Sequence, residues 1–83
     1  MGGLVEVKVP EDLWPRRGGW KGRVVGVRRG VGERVSKGEV LVEVEIEKAV
    51  LEIETPVEGV VERVAEPGEE VKPGSIVAVV RRE

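Results

Sequence analysis

The sequence predicts an all-β domain made of two thin sheets that pack on each other with pseudo-twofold symmetry. Apolar residues alternate with polar ones along short segments, Gly- and Pro-rich turns separate the segments, and the second half of the chain repeats the first. Val dominates the apolar residues and favours strands. No helical period survives the density of Gly, Pro and Val, so we expect no helix.

The first half begins with a weakly alternating segment, residues 4–9, that we interpret as a strand ended by Pro10. Residues 11–21 have no period and predict a loop. The elements that follow are a strand (residues 22–28), a Gly turn (30–33), a very short strand (34–36) and a second tight turn (37–38).

Residues 40–56 are the most regular part of the chain and predict a hairpin with Glu47 and Lys48 as its two-residue turn. The apolar residues of both strands would then share the inner face: Val42, Val44, Ile46, Ala49, Leu51 and Ile53. A one-residue slip would turn every one of these side chains outward, so the register is well determined.

The tip of this hairpin departs from ordinary turn chemistry. Tight hairpin turns prefer Asn-Gly, Asp-Gly or another Gly at a positive-φ position, and Glu47-Lys48 provides none of these. The register also places Glu43 opposite Glu52 on the outer face, where facing like charges are unfavourable. We interpret both exceptions as a sign that the tip is shaped to present Lys48. The alternative is an ordinary solvated lysine.

After the hairpin the sequence predicts a strand (residues 59–64), a turn (66–69), a short strand (71–72), a turn (73–74) and a last strand (75–81). This order repeats the first half at an offset of 36 residues. The matching residues are Val24-Val25 with Val60-Val61, Gly32-Glu33 with Gly68-Glu69, Val35 with Val71, Gly38 with Gly74, and Val44 with Val80. Neither half can bury an apolar face alone, so the two should pack together. The symmetry places the hairpin tip and the chain ends on opposite sides.

Composition limits the functions of the chain. Its 83 residues form a single domain, residues 1–83, with no room for a deep active-site cleft. The absence of Cys and His argues against catalysis by this chain alone and against a metal site. The net charge of −2 does not favour nucleic acid, and no segment resembles a membrane span or a signal peptide. We expect a soluble cytoplasmic protein, and 36% charged residues without Asn or Gln indicate a thermophilic source.

The loop at residues 11–21 contains both tryptophans, Trp14 and Trp20, and the pair Arg16-Arg17. In one interpretation the tryptophans cover the open end of a small sheet. In the other the loop is a recognition surface, because Trp and Arg are favoured anchors at interfaces.

Glu47-Lys48-Ala49 is similar to the Asp-Lys-Ala motif around the modified lysine in a known family of protein domains. Around it lie the segments VSKG, TPVEGVV, PGEEV and PG, at residues 35–38, 55–61, 67–71 and 73–74. In these motifs, over about residues 5–80, the chain resembles the lipoyl domains of 2-oxo acid dehydrogenase acyltransferases, within the wider biotinyl/lipoyl attachment family. The resemblance implies a flattened barrel of two four-stranded antiparallel sheets with internal pseudo-twofold symmetry.

The resemblance also implies a function. Lys48 would carry lipoate as an amide, a swinging arm that moves acyl groups and electrons between the active sites of a dehydrogenase complex. The implied partners are a lipoate ligase or other lipoyl-attaching enzyme, a thiamine-diphosphate 2-oxo acid dehydrogenase, an acyltransferase core and dihydrolipoamide dehydrogenase. The domain itself would be a monomeric, non-catalytic carrier.

Recognition of the tip by these enzymes would depend on residues around Lys48. The attaching ligase would recognise the flanking Glu47 and Ala49. The candidates for contact with the dehydrogenase are Glu43, Glu45, Glu52 and Glu54 on the hairpin, and Trp14, Arg16 and Arg17 in a loop that the family places near the lysine. The other lysines (Lys8, Lys21, Lys37 and Lys72) are expected within or beside strands and turns of the body.

Three alternatives stay open. A biotin carboxyl carrier shares the fold, but its lysine lies in Met-Lys-Met, and the single Met of this chain is Met1. The second is a free-standing lipoate carrier of another pathway. Among such carriers, the protein of the glycine cleavage system is longer and has additional helices, which argues against it. The third is a purely structural or regulatory barrel whose lysine is never modified. Glu47 in place of the usual Asp and the Trp-containing loop are departures from the lipoyl pattern, and the chain is either an excised domain or a free-standing carrier.

Overall fold

The computed structural model describes residues 2–11 and 21–83, and within these ranges it consists of strands and turns without a helix. The strands are β1 (Leu4–Lys8), β2 (Gly22–Val27), β3 (Arg34–Val35), β4 (Val40–Ile46), β5 (Ala49–Glu54), β6 (Gly59–Val64), β7 (Glu70–Val71) and β8 (Ile76–Arg81). Every predicted strand is present, with ends within one or two residues of the expected ones.

Two four-stranded antiparallel sheets form the body, which confirms the predicted fold class. The first sheet has the strand order β1-β8-β6-β3 and the second has the order β5-β4-β2-β7. The short strand of each half pairs with the other half, because β3 pairs with β6 and β7 pairs with β2. Neither sheet is therefore complete without both halves of the chain.

The pseudo-twofold symmetry extends to individual hydrogen bonds. The Gly68 amide donates to the Val24 carbonyl at 2.7 Å, and the Gly32 amide donates to the Val61 carbonyl at 2.8 Å. Val24 is thus equivalent to Val61 and not to Val60, so the predicted matching of the first strands is wrong by one residue. The offset of 36 holds only from the Gly turns onward, because Arg29 is an additional residue in the first half.

The core is a layer of aliphatic side chains between the two sheets. Its residues are Val7, Val9, Val24, Val35, Leu41, Val42, Val44, Ile46, Ile53, Val61, Val71, Val77, Ala78 and Val80. Because the core lies between the sheets, each sheet buries one face and leaves the other to solvent. Most core side chains are β-branched, which suits pleated strands.

The barrel has a hairpin end and a terminal end. At the hairpin end the turn between β4 and β5 lies beside Gly22, which pairs with both Ile46 and Val71. β8 begins after a tight turn from β7, so Ile76 lies at the hairpin end of the first sheet. At the terminal end the first and last strands meet, where Leu4 pairs with Arg81.

Candidate functional site

The hairpin of β4 and β5 has the register that the sequence predicts. The inner pairs are Ile46 with Ala49, Val44 with Leu51, and Val42 with Ile53. Burial decreases along β5 toward the tip, since Ile53 is buried, Leu51 is half-buried and Ala49 is exposed. Ala49 pairs with Ile46 on the inner face as predicted, but it is not buried. The core ends before the turn, and the tip projects beyond it.

The turn places Lys48 at this tip as an exposed side chain preceded by an unusual backbone conformation. Glu47 has a φ of 56°, and the other positive-φ residues in the described part of the chain are all glycines. Hairpin turns that match strand twist need a positive φ at their first central residue, where Gly is normally preferred. A non-Gly residue in this conformation is strained, and such strain is concentrated at functional sites.

Arg28 bridges the two glutamates that face each other on the outer side of the hairpin. Its guanidinium donates to Glu43 at 2.6 Å and to Glu52 at 3.2 Å. These contacts raise the pKa of Arg28, through the hydrogen bond to Glu43 first and then through the charges of Glu43 and Glu52. Because Arg28 bridges them, the facing Glu43 and Glu52 do not indicate a destabilised hairpin, as the sequence alone suggested. Arg28 was not among the predicted site residues. It lies just beyond β2, the strand that pairs with β4.

A charged groove of about 270 Å³ lies beside the tip, on the side of β2. It is lined by Lys21, Gly22, Arg23, Glu45, Glu47 and Glu70. Pairing across the sheet explains this set, because Arg23 lies opposite both Glu45 and Glu70. Glu45 and Glu47 were predicted site residues, but the cations were not, because only the pairing of β2 with β4 brings them to this side.

The other predicted recognition residues are distributed unevenly. Glu54 pairs with Val40 at the far end of β5, so it does not belong to the tip. Trp14, Arg16 and Arg17 lie outside the described residues, and their predicted role stays a prediction.

All five lysines are exposed: Lys8, Lys21, Lys37, Lys48 and Lys72. Exposure alone therefore cannot direct an enzyme to Lys48. What distinguishes Lys48 is its place in a two-residue hairpin turn, whereas Lys8 lies within β1 and the others lie beside strands.

Residues 2–11 and 21–83 contain no cluster of acidic side chains arranged to hold a metal ion. In the same part of the chain, no helix has the length and apolar character that a membrane crossing requires.

Comparisons with known proteins agree with this geometry. Residues 18–80 match the family model for biotinyl and lipoyl attachment, which is described as biotin-requiring enzyme. The Kluyveromyces lactis urea carboxylase matches with a TM-score of 0.76 and 22% identity, over 94% of this chain and 6% of that one. The lipoyl domain of the 2-oxoglutarate dehydrogenase complex from Azotobacter vinelandii matches with a TM-score of 0.66 and 23% identity, over 93% of this chain and 96% of that one. No curated protein sequence matches the chain.

Fold and site together define a small β barrel that presents a lysine on a hairpin turn. The chain belongs to the biotinyl/lipoyl attachment family. Domains of this family are carriers, not catalysts: they bind lipoate or biotin covalently and work with partner enzymes of acyl-transfer or carboxylase complexes.

Proposed function

We propose that the chain is a lipoyl carrier and that Lys48 is its attachment residue. The observation that carries this proposal is the exposed Lys48 in the turn Glu47-Lys48-Ala49, held by the strand register of β4 and β5. An acidic residue and an alanine flank the lysine, as in lipoyl domains, and the methionines of the biotin pattern are absent.

Lys48 fits such a group because its side chain is exposed at the end of a paired hairpin and needs no cavity. In attachment, the free amine of Lys48 attacks the activated carboxyl carbon of lipoate, the activating group leaves, and one proton is released. The resulting amide is neutral, so the tip loses one positive charge. The bound group supplies a dithiolane that accepts an acyl group and two electrons.

The protein's own contribution is presentation and recognition. The pairing of β4 with β5 fixes where the arm is attached, which keeps it within reach of several active sites at high effective concentration. Glu45 and Glu47 lie beside Lys48 on the charged groove. They would favour a partner with a basic active-site entrance, as expected for a thiamine-diphosphate 2-oxo acid dehydrogenase, with an acyltransferase core and dihydrolipoamide dehydrogenase as the other partners.

A biotin carrier is the second candidate, and the match to a urea carboxylase supports it. The flanking residues separate the two candidates. If they decide the outcome, changing both Glu47 and Ala49 to Met should reduce lipoylation and increase biotinylation, while the exposed positions should tolerate the change.

The attachment is tested by incubating the protein with lipoate–protein ligase and lipoate, and separately with biotin–protein ligase and biotin. We expect one lipoyl increment by mass spectrometry, mapped to Lys48 after digestion, and at least tenfold less biotinylation. Lys48→Arg should abolish labelling, whereas the control Lys37→Arg should not change it. Labelling of another lysine, or preferential biotinylation, would contradict the lipoyl proposal.

A further inference from the structure

A second groove lies on the outer face of the first sheet, which does not contain the hairpin of β4 and β5. Its volume is about 260 Å³, and β6, β8 and the turn before β7 form it. Ala65, Ile76 and Val79 provide apolar surface, and Glu6, Arg63 and Glu69 provide charges at its sides. Ile76 is 49% exposed, so aliphatic surface is open to solvent here. We call this the aliphatic groove.

The pseudo-twofold symmetry shows why this groove is open. The equivalent place on the second sheet is covered by Arg28, which lies across Glu43 and Glu52. On the first sheet, Ala65 takes the position of Arg28, since the Ala65 amide donates to Val77 as the Arg28 amide donates to Leu41.

The facing residues change as well. Val79 takes the position of Glu43, and Glu6 takes that of Glu52. The second sheet therefore closes this position with a bridging arginine, whereas the first sheet leaves the equivalent position open and apolar.

The aliphatic groove extends to the hairpin end of the barrel, because Ile76 begins β8 just after the turn from β7. An enzyme that acts on Lys48 approaches this end. It has to select one of five exposed lysines, and a two-residue turn offers little surface for that selection. Specific protein interfaces bury roughly 800 Å² on each partner. The contact must therefore extend from the tip onto the sheets.

We propose that the aliphatic groove is a docking surface for the enzyme that attaches the lipoyl or biotinyl group to Lys48. The occupant is an aliphatic side chain of that enzyme with a carboxylate next to it. The aliphatic part would cover Ile76, Val79 and Ala65. The carboxylate would pair with Arg63, which forms no ion pair with any described residue. The two glutamates of the groove have partners of their own, because Glu6 is 3.8 Å from Lys8 and Glu69 accepts a hydrogen bond from the Glu66 amide. The proposal rests on the proposed role of Lys48 but not on the choice between lipoate and biotin.

The test is steady-state labelling by lipoate–protein ligase, or by biotin–protein ligase if only that enzyme labels the protein. Ala65→Arg combined with Val79→Glu recreates the arrangement of the second sheet and closes the groove. We expect KM for the domain to rise roughly tenfold, the loss typical of a buried contact, with kcat unchanged. Ile76→Ser, at an exposed position, should raise KM severalfold without affecting folding.

The matched control is Val31→Arg, which places a cation on an apolar residue that is 66% exposed in the Gly turn at the terminal end. This variant should leave KM unchanged. The proposal would be overturned if KM is unchanged in the groove variants or rises equally in Val31→Arg. It would also be overturned if sedimentation experiments show that a second copy of the domain fills the groove. Labelling by the biotin ligase alone would contradict the lipoyl assignment and leave the groove test in force. No labelling by either ligase would overturn both.

Discussion

The hairpin end and the terminal end of the barrel are built from equivalent strands but differ in charge. Next to the hairpin turn, Glu45 pairs with Val50 and Arg23. At the terminal end the equivalent residue is Arg81, which pairs with Leu4 and Val60. Glu70 and Arg34 are related in the same way, one on each short strand.

Arg81 and Arg34 of the terminal end are neutralised within the chain. Arg81 contacts Glu62 and Arg34 contacts Glu83, each at 2.6 Å. Glu45 and Glu70 have no ion pair with a described residue, so their charges are available to a partner. The fold tolerates either charge pattern on the same strands. The acidic surface beside Lys48 is therefore not required for folding, which leaves it free to serve the proposed recognition by partner enzymes.

The largest expected effect concerns a pair of equivalent glycines, one at each end. A Cβ on Gly59 would overlap the carbonyl oxygen of Arg81, whereas a Cβ on Gly22 would lie 2.9 Å from the carbonyl oxygen of Glu45. We expect Gly59→Ala to destabilise the protein by about 3 kcal/mol and Gly22→Ala by about 1 kcal/mol. Urea denaturation measures both. Equal values would show that the two ends are packed alike.

An intermediate effect is expected at the attachment turn. Glu47→Gly should relieve the strain of the positive φ and raise the free energy of unfolding by about 1 kcal/mol. Gly32 has a φ of 91° in open space, so Gly32→Ala should lower it by about the same amount. Guanidinium denaturation checks both changes. A loss of stability in Glu47→Gly would mean that the Glu47 side chain stabilises the turn more than its backbone strains it.

The smallest effect is expected from Arg28→Met, because the bridge is exposed to solvent. This variant leaves Glu43 and Glu52 facing each other without a cation, and we expect a fall of a few degrees in Tm that decreases as salt is added. Adding Glu43→Gln to the Arg28→Met variant should restore most of the lost Tm. The first sheet, with Val79 and Ala65 in these places, shows that the fold does not need the bridge. A Tm unaffected by either change would show that the bridge contributes no stability.

The hairpin register and the position of Lys48 could be predicted because strict alternation allows one register. Arg28 could not, since its contact with Glu43 depends on which strand pairs with β4, and that pairing is long-range. The exposure of Ala49 was missed because alternation assigns a face but does not show where the core ends. The one-residue error in the repeat arose because Val24-Val25 and Val60-Val61 look alike, and only the hydrogen bonds show that Arg29 is additional.

The exchange of short strands between the two halves also has a consequence for the time at which Lys48 can be modified. β2 receives its outer partner β7 only once residues 70–71 have emerged from the ribosome, and these residues emerge later than Lys48 because they follow it in the chain. A nascent chain thus exposes the target lysine before the barrel can close. An enzyme that docks on both sheets would pass over such chains, and attachment would mark the domains that had finished folding.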